Sequence, residues 1–589
     1  MNGKNSAVSL RAALPPELAR RAGKLKGRQP DGVSLDEVDR LLGPAPRRRD
    51  LLIEYLHRLN DAYGALRSRH LTALAAELNL PRAEIYEVAT FYHHFEVTDS
   101  ESPAALTVRV CGGLPCHLAG AKELIERLPA ILGREVRVEK VPCMGRCEQA
   151  PAAEVGRRHV PFADPGKVAA AVRGGEGVHP AARPDGEFDP AAFAGKPLPG
   201  PGAAQPAYAG YAAYRAAGGY RLAAEVVSGE RTAEMVIKAL EDSGLRGLGG
   251  AGFPAGRKWR IVREQPGPRF MAANIDEGEP GTFKDRSYLE RDPHRFLEGL
   301  LIAAAAVGID ECYIYLRDEY HGCRAILEAE LEKLKADPPF PLPRLELRRG
   351  AGAYVCGEES ALLESVEGRR GEPRKRPPFI AQAGLRGRPT LEHNFESLYW
   401  VRDILARGPE WFASFGRRGR KGLRSFSVSG RVKDPGVKLA PAGISVRELI
   451  GEYCGGMQDG RELYAYLPGG ASGGILPASL GDLPLDFDTL QEHGCFIGSA
   501  AVIVLAAGDS AREAALNAMR FFESESCGQC TPCRAGTAKA AALMQDRRWD
   551  RAALEDLCAV MADASICGLG QAAPNPVRCV MKYFPQEVE

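Results

Sequence analysis

Apolar positions recur at helical spacing in some stretches of the chain and alternate in others. Leu51, Leu52, Tyr55, Leu56 and Leu59 share one helical face, Leu71, Leu74 and Leu78 a second, and Ile85, Val88 and Phe91, after Leu80-Pro81, a third. Residues 49–104 therefore predict a small helical bundle. Residues 1–48 are rich in Arg, Gly and Pro and predict a mostly irregular extension with one short helix at Leu35–Leu42. Leu106–Val110 and Glu135–Val141 read as strands around a helix at Ala119–Leu128. Further on, Met235, Val236, Ala239 and Leu240 mark one face of a helix over Glu230–Ser243. Strands at Phe270–Ile275 and Glu311–Leu316 then alternate with helices at Phe296–Gly308 and Cys323–Leu334, which is the pattern of an α/β layer. Ser425–Val428, Val446–Leu449, Tyr464–Leu467 and Cys495–Leu505 are strand candidates, and the chain turns helical from Arg512.

At 589 residues the chain exceeds what one hydrophobic core organises. The pattern divides it into an extension (1–48), the helical bundle (49–104), a cysteine-bearing module (105–173), a Gly/Ala/Pro-rich linker (174–209), the α/β module (210–423), a β-rich domain (424–508) and a helical end (509–589). A formal charge of +1, from 77 basic and 76 acidic residues, asks for neither nucleic acid nor an anionic membrane. The longest apolar run, Leu300–Val307, is too short to cross a bilayer, and no N-terminal signal pattern is visible, so the expected location is cytoplasmic. Most of the fifteen cysteines fall in two regions, which points to metal chemistry in a reducing compartment rather than to a disulfide scaffold.

The first cysteine group is Cys111-x4-Cys116, then 26 residues, then Cys143-x3-Cys147, with each pair in a loop after a predicted strand. Four such thiolates suit an iron–sulfur cluster or zinc, or the cysteines are inert; the missing CxxC weakens a redox dithiol. The second group, Cys527-x2-Cys530-x2-Cys533, has the spacing that wraps three thiolates around one face of a [4Fe–4S] cubane. The fourth ligand comes from Cys558, Cys567 or Cys579, and the small residues of Ile566-Cys567-Gly568-Leu569-Gly570 favour Cys567. Cys312, Cys323, Cys356, Cys454 and Cys495 stand alone and read as buried packing.

Gly244–Trp259, GLRGLGGAGFPAGRKW, carries six glycines and ends in Arg257, Lys258 and Trp259. Backbone N–H groups of such a run can approach a ligand closely, and the cations favour a phosphate. Asn274 and the acidic turn Asp276–Pro280 follow a strand and suit nucleoside hydroxyls or ring nitrogens, or form a solvated turn. A second glycine turn, Gly350–Gly357, leads to Glu358 and Glu359 at a helix start, where one of them is well placed to cap. Arg374–Phe379 puts positive charge and an aromatic on a stiff segment that lines a cleft or forms a surface loop. A phosphate-cradling module beside two cysteine clusters implies electron transfer, and a flavin can join two-electron nicotinamide chemistry to one-electron clusters. The competing class is a non-enzymatic iron–sulfur scaffold.

The glycine stretch, Asn274–Arg286 (NIDEGEPGTFKDR), Gly350–Glu367 and ESCGQCTPCR with ICGLG resemble the flavin-bearing, NADH-binding subunit of respiratory complex I. Residues 49–172, with ATFYHH at Ala89–His94, are similar to its partner subunit with a thioredoxin-like [2Fe–2S] domain. Both on one polypeptide resemble the beta subunit of soluble, molybdenum- or tungsten-containing NAD-dependent formate dehydrogenases, and also the diaphorase subunit of NAD-reducing hydrogenases. The formate dehydrogenase likeness is the closer along the chain, through Arg47-Arg48-Arg49-Asp50, Leu316–Tyr320 and Leu467–Ser479. It implies a multidomain α/β protein: helical bundle, thioredoxin-like [2Fe–2S] domain, Rossmann-like FMN/NAD domain, small ubiquitin-like β-grasp (SLBB-like) domain and C-terminal [4Fe–4S] helical bundle.

The resemblance also implies site residues. FMN phosphate would lie near Gly247, Gly249, Gly250 and Lys258, with Asn274, Tyr354, Gly357, Glu358 and Asn394 around the rest of the flavin. Glu279 and Glu359 would face NAD(H), with Phe253, Arg376 and Phe379 lining the same cleft. Arg376 replaces the usual lysine, and His393 replaces the first of two adjacent asparagines. Cys111, Cys116, Cys143 and Cys147 would hold [2Fe–2S]; Cys527, Cys530, Cys533 and Cys567 would hold [4Fe–4S]. Electrons from a large molybdopterin iron–sulfur formate dehydrogenase partner would pass through [4Fe–4S] to FMN and then to NAD⁺.

Overall fold

The computed structural model describes residues 27–99, 106–175 and 209–589. Residues 1–26 and most of the expected linker over 174–209 lie outside the described residues. The chain forms two compact units, residues 1–90 with 95–103, and residues 91–94 with 104–589.

In the smaller unit, helices Gly32–Leu42, Leu52–Tyr63 and Ser68–Leu78, followed by the helix starting at Arg82, bury Val38, Leu56, Leu59, Leu71, Leu74 and Ile85. The first helix belongs to this bundle rather than to an irregular extension. Asp31 caps it by accepting from the Ser34 amide at 2.8 Å, and Glu37 bonds His70 at 2.7 Å.

The larger unit begins its first sheet with Leu106–Cys111. That strand lies between Val136–Val141, parallel to it, and Ala153–Val155, antiparallel, with Arg158–Val160 at the edge. Ala121–Leu132 and Pro165–Arg173 cover the sheet and bury Leu124, Leu128 and Val168 against Val108 and Val110. This is the mixed, helix-covered sheet of a thioredoxin-like domain. Cys111 ends the strand Leu106–Cys111 and Cys116 lies in the short helix Leu114–Leu118, so the first pair is not on a loop. Cys143 stands on the loop after Val141, and Cys147 opens a 3-10 turn.

The second sheet is wholly parallel, ordered Thr390–Asn394, Phe270–Ile275, Glu311–Leu316, Arg344–Arg349. Pro293–Val307, apolar almost all round, is the buried helix behind it. The chain builds this sheet in one direction through three strands and then returns to the opposite side of the first. The strand order therefore reverses between Phe270–Ile275 and Thr390–Asn394, where open α/β sheets leave a ligand crevice.

The third sheet runs Gly436–Pro441, Leu423–Gly430, Ala501–Ala506, Leu463–Leu467, Leu476–Pro477, with the parallel pair at its centre. Val446–Leu449 is not a strand. Ser445 and Glu448 form a reciprocal capping box that starts a helical turn there, running on into a π-helical Leu449–Tyr453. The strand expected over Cys495–Leu505 begins only at Ala501, because Gly494, Gly498 and Ala500 take positive φ. The chain ends in helices Ala511–Glu525, Thr531–Leu543, Arg551–Ala564, Gly568–Ala572 and Pro574–Tyr583. Among the described residues no helix is long and apolar enough to cross a membrane.

Candidate functional site: a glycine-walled crevice between two cysteine clusters

Asn274 and Asn394 are register partners at the carboxyl ends of the two strands that flank the crevice. Alternation along Thr390–Asn394 turns Glu392 and Asn394 to one face and buries Leu391 and His393 on the other. Lys258, on helix Ala255–Arg263, donates to Glu392 at 2.9 Å and lies 3.8 Å from Glu359. Burial opposes its charge, but Glu392 and Glu359 outweigh that and raise its pKa. Asn274 donates to Glu392 and to the Gly357 carbonyl, both at 3.0 Å. Arg376 pairs with Glu358 and, at 2.9 Å, with Glu359. Glu358 also caps its helix, accepting from the Ser360 and Ala361 amides at 3.0 and 2.9 Å. Burial raises the pKa of Glu359. Phe253 and Phe379 stand 40% and 52% exposed, and the Arg257 guanidinium lies over the Phe253 ring at 5.6 Å.

The glycine loop forms one wall. Gly247 closes the loop on itself, its amide donating to the Phe253 carbonyl at 2.8 Å, so that amide is already engaged rather than turned to a phosphate. Gly249 is required for close approach, since a Cβ there would lie 2.9 Å from the Asn394 Cβ. Gly250 takes φ +130 beside Gly498. Asn394 donates to Asp285 at 2.6 Å and accepts from the Glu396 amide at 3.0 Å, capping the next helix. His393, where the family pattern has asparagine, accepts from the Trp259 indole at 2.8 Å, and burial holds its pKa well below 6.5. It serves the core and leaves its neighbour to face the crevice.

Glu279 and Tyr354 form a second network apart from Glu359. Their side chains are hydrogen-bonded to each other, and Glu279 also accepts from the Ser472 amide at 2.8 Å. Burial raises the Glu279 pKa. The Tyr354 amide donates to Glu525 at 2.9 Å, and its ring lies 4.9 Å from that of Phe521, on the helix that leads to Cys527.

Cys111, Cys116, Cys143 and Cys147 are all buried. The Cys143 and Cys147 sulfurs are 3.4 Å apart, and the Ala152 amide donates to Cys116 Sγ at 3.4 Å. Hydrogen bonds from the Cys111 and Cys147 thiols, outweighing burial and helped by the Gly281 amide and Arg317, hold the Cys143 pKa well below its ordinary value. A Cβ at Gly113 would make ordinary van der Waals contact with Cys143 Cβ at 3.4 Å and Cys111 Sγ at 3.5 Å, so this residue packs directly between the two cysteines.

In the second group, Cys530 is the N-cap of Thr531–Leu543 and Cys533 sits in its first turn. The Cys567 loop approaches them through Gly570, where a Cβ would lie 2.9 Å from the Cys533 Cβ. Burial raises the Cys567 pKa to about 12. The other two candidates are engaged elsewhere. Cys558 is buried within Arg551–Ala564, and Cys579 lies 3.5 Å from Cys495, which is therefore not isolated.

These donor sets suit the implied groups. Each converging set of four sulfurs suits a cluster, and the glycine-walled crevice suits a flavin. The buried Asp276 Oδ2 has no hydrogen-bond partner among the described residues, and Asp276 lines a cavity with Cys143 and Arg317. Sequence reading missed Glu392, Asp285, Ser472 and Arg317. The two-residue period of the Asn394 strand was the one signal that could have exposed Glu392.

Fold and donor sets together define a flavin and iron–sulfur module of the NADH oxidoreductase type. The Nuo51 FMN-binding domain family matches residues 240–403, the thioredoxin-like [2Fe-2S] ferredoxin family residues 38–175, and the NADH-ubiquinone oxidoreductase-F iron-sulfur binding region residues 513–589. The second F-type NADH-quinone oxidoreductase subunit of Rhizobium meliloti (strain 1021) is 40% identical over 389 residues, covering 64% of this chain and 92% of the relative. The F-type subunit of the Aquifex aeolicus (strain VF5) NADH-quinone oxidoreductase is 40% identical over 387 residues, covering 63% and 89%. A crystal structure of NAD⁺-reducing [NiFe]-hydrogenase in the H2-reduced state aligns at TM-score 0.77 and 32% identity, covering 92% of each chain. The chain belongs to the family of F-type NADH-quinone oxidoreductase subunits, and it carries in addition a thioredoxin-like [2Fe–2S] domain.

Proposed function

We propose that the chain is the NAD⁺-reducing diaphorase subunit of a cytoplasmic, metal-dependent formate dehydrogenase complex, receiving electrons from a large molybdopterin iron–sulfur subunit. The observation that carries the diaphorase reading is the crevice at the strand reversal, flanked on both sides by converging cysteines. When bound, FMN supplies hydride exchange with the nicotinamide and single-electron exchange with the clusters.

The chain's own residues bind and orient. Gly249 and Gly250 admit the flavin to the wall of the crevice, while Lys258, Asn274 and Asn394 fix its polar edge. Phe253 and Phe379 cover the nicotinamide side. Glu359, held by Arg376, faces NAD(H), and Glu279 acts there while holding Tyr354. No side chain need move a proton for this transfer, so positioning and exclusion of water are the protein's contribution. Cys111, Cys116, Cys143 and Cys147 hold [2Fe–2S]; Cys527, Cys530, Cys533 and Cys567 hold [4Fe–4S].

Formate as the electron source is supported by resemblance along the chain, including Leu316–Tyr320 and Leu467–Ser479. A hydrogenase partner is favoured by a different observation, the 92% mutual coverage with a chain of the NAD⁺-reducing [NiFe]-hydrogenase. The metal of the copurifying partner decides: molybdenum or tungsten for the first reading, nickel for the second. The cofactor-replete chain alone should show flavin bleaching by NADH and reduce artificial acceptors without oxidising formate. Absence of FMN, or formate turnover by the chain alone, overturns the diaphorase reading.

A further inference from the structure

A cavity separates the Cys143 loop from the flavin-side turn, lined by Cys143, Asp276, Gly278, Arg317, Glu319 and Tyr354 among others. Arg317, at the end of strand Glu311–Leu316, is only 4% exposed and reaches both walls. It donates to the Cys143 carbonyl at 2.7 Å and to the Glu277 carbonyl, so one guanidinium ties the cysteine loop to the turn that follows Asn274. Its remaining capacity is a two-point pair with Glu319, at 3.1 and 3.0 Å. Arg286 secures the same loop from the other side, donating to the Gly145 carbonyl at 2.9 Å and pairing with Glu148.

Reduction of a cysteine-held cluster adds one negative charge to the site. A fixed cation nearby favours that charge and a fixed anion opposes it, and burial of the cation keeps water from screening its field. The Arg317 side chain is 5% exposed and that of Glu319 27%, so the cation's field is the less screened of the two.

We propose that the Arg317–Glu319 pair sets the reduction potential of the [2Fe–2S] centre, with Arg317 also acting as the positioning residue that holds the Cys143 loop against the flavin turn. The inference rests on the reading that Cys111, Cys116, Cys143 and Cys147 hold this centre.

The test is a potentiometric EPR titration of the full chain carrying both clusters. In Arg317→Met, which leaves Glu319 uncompensated, the ratio of reduced to oxidised [2Fe–2S] at the wild-type midpoint should fall about tenfold, equivalent to ~59 mV for one electron. Arg317→Lys should restore most of it. Glu319→Gln, a milder and nearly isosteric change, should move the same ratio upward, and it decides the matter if Arg317→Met fails to fold. The [4Fe–4S] midpoint should stay in place throughout. Shifts of the same sign in the two charge-removing variants, or none in Glu319→Gln, would overturn the proposal. Absence of any [2Fe–2S] signal from the unaltered chain would overturn the ligand reading itself.

Discussion

The two cysteine groups are built in opposite ways. The first draws four buried cysteines from a strand end, a short helix and the loop after Val141, and arginines from the flavin domain hold that loop from outside. The second places its cysteines about helix starts, and Cys527, Cys530 and Cys567 are only partly buried. Electron transfer to a separate protein needs a centre near the surface, so the C-terminal group suits the port to the partner. The buried group suits an internal reservoir.

The largest effect that could break this contrast comes from ligand removal in the intact complex. Cys530→Ser or Cys567→Ser should abolish partner-driven NAD⁺ reduction, whereas Cys116→Ser should remove the [2Fe–2S] EPR signal and keep most of the turnover. Cys558→Ser should keep the [4Fe–4S] signal. Equal loss in Cys116→Ser would make both groups part of one obligatory route. Metal removal sharpens the same point: an iron chelator acting on oxidised protein should strip the half-exposed C-terminal site first, followed by iron release and EPR. Simultaneous loss would mean that burial does not protect the first group.

Between the two groups, Lys258→Met leaves Glu392 without its cation, while Glu359 keeps Arg376. Loss of one charge-assisted contact is worth ~1.5–3 kcal/mol, so FMN should bind about 10- to 100-fold more weakly in a fluorescence titration. Both clusters should remain. Weakened cluster signals would show that the crevice and the cysteine sites do not fold independently.

The smallest effect concerns His393, which tests burial at a point remote from either cluster. Its folded pKa lies below the ordinary 6.5, so on acidification the unfolded chain takes up the proton first. The stability present above pH 6.5 is lost below it, at ~1.4 kcal/mol per pH unit for this group. His393→Gln should flatten that part of the thermal-midpoint profile between pH 5 and 6.5, while iron retention stays unchanged.

Local signals were legible where chemistry and spacing coincide. Phe270–Ile275 and Glu311–Leu316 form as the alternation predicts, and the CxxCxxC run lies in a family-matched iron–sulfur region. Legibility fails where a side chain answers to something distant. Gly247 looks like the other loop glycines, yet its amide serves Phe253. Glu392 matters because Lys258, 134 residues away, comes to it. Arg317 serves Cys143 across 174 residues, which no local pattern reports. The helical turn at Val446 was written in Ser445 and Glu448 but hidden by two apolar positions, Val446 and Leu449, that also fit a strand.

Gly145, two residues from Cys143, takes φ +66 and leaves no room for a side chain: a Cβ there would lie 2.2 Å from the Tyr320 hydroxyl. That hydroxyl in turn bonds Glu277 at 2.8 Å. Evolutionary drift at these positions should therefore be concerted. Among homologous sequences, a larger residue at the place of Gly145 should occur only together with a shortened one at the place of Tyr320, even though the two belong to different domains.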